Sequence, residues 1–161
     1  MGLFKTKAQK RADLYLELAN VIVSSMESNT VLFTSYHDAM MQKIYEPILS
    51  LSMLLVASFC GDPDASLEMV PTFQKQVLQH PISEADYNAM NNRINDYYNQ
   101  YRTSAIQIEA EGGDYVEKSI ERMAAQTESF LNIEHTDDTS SVLVDYIKQF
   151  ISIAKSDIRG R

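Results

Sequence analysis

A chain of 161 residues with 45% apolar and 22% charged side chains is one domain in length, and five glycines and four prolines are too few for a many-turned β fold. The formal charge of −8 is uneven: residues 1–11 carry +4, residues 155–161 carry +2, and the body between them carries −14. So acidic a body repels nucleic-acid phosphates and favours basic partners. Cys60, the lone cysteine, rules out an intramolecular disulfide and points to a reducing, cytoplasmic compartment.

The chain opens MGLFKTKAQKR, with Leu3 and Phe4 ahead of the cations Lys5, Lys7, Lys10 and Arg11. Three readings compete. The plainest is the start of a helix, with Leu3 and Phe4 packed on the fold. The second is a basic arm, residues 1–11, that touches a partner or an anionic membrane peripherally. The third adds a lipid, because Met-Gly with Thr6 satisfies the N-myristoylation pattern and nearby cations would supply the second membrane signal. A signal peptide is not expected, since Asp13, Glu17 and Asn20 interrupt the apolar stretch beyond the cations.

A first helix is predicted over about Lys5–Ser28. Ala12, Tyr15, Leu18, Ala19, Ile22 and Met26 make its stripe, and Leu14, Leu16, Val21 and Val23 widen it nearly all round. Such a helix belongs at the centre of a bundle or of a homo-oligomer. Asn29 and Thr30 should cap a second helix that runs to Gly61 with Phe33, His37, Met40, Ile44, Ile48, Leu51 and Leu55 on one face and a kink at Pro47. Its apolar run, Pro47–Cys60, is too short for the roughly 20 residues of a bilayer-spanning helix.

Residues 62–82 contain Pro63, Pro71 and Pro81 and are expected to form an irregular helical connection of one or two short pieces. Ser83 followed by Asp86 then opens the strongest helical signal, unbroken to Gly112, a rod of roughly 43 Å. Asp114 and Glu117 start the next helix, with Val116, Ile120, Met123, Thr127 and Phe130 on one face. The segment HTDDTSS is predicted as a polar turn, and a last helix as running from Ser141 to about Ile158. The expectation is a single all-α domain over 1–161: an up-and-down bundle of four to five long helices with one short broken helical segment.

No Glu-x-x-His pair, HExxH, CxxC or glycine-rich phosphate loop occurs, so neither metal nor cofactor is expected. His37 beside Asp38 is the one candidate pocket residue. Neighbouring helical positions point about 100° apart, so Asp38 does not orient it, and a structural histidine is the plainer reading. Cys60 reads as a small buried hydrophobe.

The most unusual stretch is YNAMNNRINDYYNQYR, Tyr87–Arg102. Tyr87, Met90, Ile94, Tyr97 and Tyr101 form one stripe, Tyr98 and Arg102 lie beside it, and asparagines fill the rest. One reading makes this a core stripe with hydroxyls at the bundle edge; the other makes Tyr87, Arg93, Tyr97, Tyr98, Tyr101 and Arg102 a partner-binding surface. Together these features favour a non-enzymatic interaction, regulatory or inhibitor-type protein that binds a protein partner. The alternative is a small-ligand binder or enzyme with an inter-helix pocket near His37.

Overall fold

The computed structural model describes residues 4–33, 38–77, 83–111 and 115–159, and every regular element among them is helical. Six α-helices pack together: α1 (Lys7–Glu27), α2 (Asp38–Leu54), α3 (Pro63–Val77), α4 (Glu84–Glu111), α5 (Tyr115–Phe130) and α6 (Asp137–Ile153). A π-helical turn extends α2 over Leu55–Phe59, and a second extends α6 over Ala154–Ile158.

Local chemistry explains most of the boundaries. Thr6 starts α1 with a capping box: its hydroxyl accepts from the Gln9 N–H at 3.1 Å, and the Gln9 side chain accepts from the Thr6 N–H at 2.9 Å. Ser83 caps α4 by accepting from the Asp86 N–H at 3.1 Å. Gly61, at φ +62°, reverses the chain after the first π turn, a conformation that an L side chain rarely adopts.

Three sequence expectations are corrected. The second helix does not begin at Asn29–Thr30, and Phe33 is not in it. Asn29 holds a turn instead, its side chain accepting from the Val31 N–H at 2.9 Å and its carbonyl from Leu32 and Phe33. The first described helical residue after that turn is Asp38, and residues 34–37, His37 included, lie outside the described residues.

Residues 63–77 form one helix rather than a broken connection. Pro71 removes a backbone donor to the Leu67 carbonyl, but both residues are exposed, which lowers the cost of the lost bond. Packing of Ala65 and Met69 into the core holds the helix along α1. Similarly, α6 begins at Asp137, inside the expected turn. Thr136 and Thr139 form a reciprocal capping box at 3.0 and 2.9 Å, and Asp137 and Asp138 complement the helix dipole.

The core is continuous. α1 buries Ala12, Tyr15, Leu16, Ile22 and Met26 against α2, α3 and α6, but it is not buried all round: Val21, from the widened stripe, is 61% exposed. α2 runs through Pro47 as one element and buries Ile48, Leu49, Leu51 and Leu55. Ser50, fully buried, shares its hydroxyl between the carbonyls of Glu46 and Ile94, both at 2.9 Å, which ties α2 to α4. A crevice of about 20 Å³ lies between Ile22, Met26, Leu51, Ser52, Thr127 and Ile147, room for roughly one water.

Candidate functional site

The tyrosine stripe of α4 divides in two. Tyr101 is fully buried, hydrogen-bonded to Thr127 at 2.8 Å and set edge-on to Phe130 with ring centroids 5.2 Å apart. Burial raises its hydroxyl well above the ordinary tyrosine range. Tyr97 is half-buried against the same Phe130 at 4.8 Å, and Tyr98 is half-buried against the core. Tyr87 donates to Gln74 on α3. Arg93 forks onto Glu46 of α2 through two contacts of 2.8 Å, which raises the guanidinium further. Arg102 stands exposed, apart from these contacts.

Most of the predicted surface therefore stitches α4 to α2, α3 and α5. What α4 turns outward is an amide ridge: Asn88, Asn92, Asn95, Asn99 and Thr103 recur at three- and four-residue steps and are all exposed, with Asp96, Gln100 and Arg102 alongside. The sequence reading named the rings with Arg93 and Arg102 and did not single out this exposed ridge, whose signal was the asparagine spacing.

A second cluster joins residues far apart in the chain. The Arg11 guanidinium grips Asp62 from Nε to Oδ2 at 2.8 Å and from Nη2 to Oδ1 at 3.0 Å, and the Tyr15 hydroxyl donates to Oδ2 at 2.9 Å. Burial alone would raise the Asp62 carboxyl. The hydrogen bonds from Arg11 and Tyr15 outweigh it and hold the group below the usual carboxylate range. Burial and the Asp62 contact push the Tyr15 hydroxyl up. Nearby, burial raises the Cys60 thiol to about 11, leaving it protonated and a poor nucleophile at neutral pH.

Of the predicted basic arm, Leu3 lies outside the described residues. Phe4 is 91% exposed, so it does not pack on the bundle as the plainest reading expected. Lys5 pairs with Asp13, Lys7 and Lys10 are exposed, and Arg11 is a structural residue half-sunk in the Asp62 cluster.

A third cluster closes the corner between α5 and α6. Glu128, buried, accepts from the Thr139 hydroxyl at 2.8 Å, and His135 Nδ1 lies 3.0 Å from its Oε2. Asn132 turns the chain at φ 55°, which asparagine tolerates. Beside this corner an open groove of about 490 Å³ is lined by Leu32, Phe33, Leu131, Ile133, Thr136 and Thr139. No local spacing announced the Glu128 or Asp62 clusters.

Among the described residues, no group of three or more His, Cys, Asp or Glu is arranged to hold a metal ion. Likewise no helix is long and apolar enough to cross a membrane. Comparison with protein families, characterised proteins and solved structures finds no match to this chain.

Proposed function

We propose that this chain is a non-enzymatic helical-bundle interaction protein that binds a protein partner through the amide ridge of α4. The observation that carries the reading is the ridge itself. Asparagine disfavours a helix interior by roughly 0.5 kcal/mol relative to alanine, and exposed positions have no packing need for it. Asn88, Asn92, Asn95 and Asn99 stand where local stability would select other residues. Departures of this kind mark sites kept for function. Each amide offers both donors and an acceptor, which suits the polar groups of a protein surface. The −14 body gives such a partner reason to be basic.

We also read the helices as an up-and-down bundle, though not one in which chain neighbours simply sit side by side. Asn20 meets Tyr45 across α1 and α2, and Ser104 meets Gln126 across α4 and α5, as antiparallel pairs do. α3 lies along α1 from Asp62–Arg11 toward its far end, and α4 lies along α2. The buried Cys60 thiol suits a cytoplasmic setting.

The test is site-specific photo-crosslinking in the source cells, with the reactive side chain at Asn92 or Asn99 and a control at Ser152, exposed on α6. One discrete adduct from both ridge positions and none from Ser152 is expected. Equal, diffuse labelling from all three would remove the ridge from consideration.

A further inference from the structure

The two basic ends of the sequence meet in the fold. Arg11 near the start of α1 grips Asp62, Arg159 Nε donates to the Cys60 carbonyl at 3.2 Å, and α1 packs on the π turn that extends α6. Lys155 is close enough to act on the Cys60 thiol electrostatically. The beginning of α1, the Cys60–Asp62 turn and the end of α6 thus form one pole.

At this pole Lys7, Lys10 and Lys155 are exposed and make no ion pair with a described residue, while Asp13 and Asp62 are engaged by Lys5 and Arg11. On these segments Asp64 and Asp157 are exposed acids. Three residues ahead of Lys7, the Phe4 ring is 91% exposed. Residues 12–154 sum to −14, and to −11 without the pole's own Asp13, Asp62 and Asp64, so the rest of the fold is strongly acidic.

We propose that this pole docks on an anionic lipid bilayer, with the lysines among the headgroups and Phe4 in the interface. Cations attract acidic headgroups, and an aromatic ring beside them leaves water when it enters the headgroup boundary. The acidic body is repelled by the same surface, so contact is limited to the pole and the protein stands end-on. A nucleic-acid duplex would use the cations but keeps its bases stacked away from the lone Phe4 ring, and a long polyanion lying past the pole would run beside the acidic body.

The experiment is co-sedimentation of the full chain with vesicles of phosphatidylcholine containing phosphatidylserine, against phosphatidylcholine alone. Deleting residues 1–11 is unsuitable because it removes Arg11 from the Asp62 cluster. The exposed-residue variants Lys7→Glu/Lys10→Glu, Lys155→Glu and Phe4→Ala keep that cluster. Binding is expected on the serine-containing vesicles only and should fall with added salt. The double charge reversal should weaken it by more than about tenfold and Phe4→Ala by several-fold, with the melting temperatures unchanged. Absence of binding, equal binding to neutral vesicles, full-strength binding by these variants, or preference for duplex DNA over vesicles would each overturn the assignment. Variants of the α4 ridge should bind vesicles normally, so this proposal and the partner reading fail separately.

Discussion

Arg11 and Asp62, fifty-one positions apart, form a two-pronged ion pair with contacts of 2.8 and 3.0 Å that joins the start of α1 to the start of α3. Asp62 is 2% exposed in the intact pair, so losing Arg11 takes away the cation that balances its charge and leaves the Tyr15 hydrogen bond. Removing one partner of such a pair strands the other. Arg11→Ala or Asp62→Ala should cost about 3 kcal/mol in urea unfolding, and the double variant less than the sum.

The same cluster makes stability fall in acid. The folded Asp62 carboxyl lies below its ordinary value of 3.8, so the folded state holds its proton less readily than the unfolded chain. Its contribution is therefore full above about pH 4 and lost as pH falls through the folded value. Urea midpoints followed from neutral pH to strong acid should drop in that window, and Asp62→Asn should flatten the drop while lowering the neutral midpoint.

At the alkaline side the sign reverses. Tyr15 and Tyr101 both have hydroxyls raised above the ordinary value of 10.0, so the stability they give is present below pH 10 and lost as pH rises beyond it. Tyr101→Phe should weaken the alkaline loss and, by removing the bond to Thr127, cost about 1 kcal/mol at neutral pH. Its ring contacts with Phe130 survive.

How much of this was legible depended on range. Helix α1 and the 28-residue α4 were readable because periodicity and capping act within a few residues, as the Ala12–Tyr15–Ile22–Met26 stripe and the Ser83–Asp86 cap illustrate; the Thr6–Gln9 box went unread. The start of α6 was misplaced because DDTS resembles a loop, and only the Thr136–Thr139 box shows that it begins a helix. α3 was underestimated because Pro71 weighed more in the sequence than it costs on a solvent-facing side. The Asp62 and Glu128 clusters depend on where helices meet. Nothing near Asp62 in the chain could point to Arg11, and Tyr101 could not be separated from Tyr97 before Phe130 and Thr127 were placed beside them.

Cys60 offers a probe of the folded core. It is buried, and burial raises its thiol to about 11. Its labelling by an aromatic disulfide at pH 8 should be slow in native buffer and accelerate many-fold in urea along the unfolding curve. Arg11→Ala, by loosening the adjacent cluster, should speed native labelling.

On the reading proposed above, the α4 ridge is kept for binding at the expense of helix stability. The most direct measurement is the triple variant Asn92→Ala/Asn95→Ala/Asn99→Ala, assayed together for melting temperature and for the adduct formed from a crosslinker at the neighbouring exposed Asn88. The expected result is a more stable protein, by about 1 kcal/mol or more from helix propensity alone, that no longer captures its partner. A stabilised variant that still forms the same adduct at full yield would contradict the account.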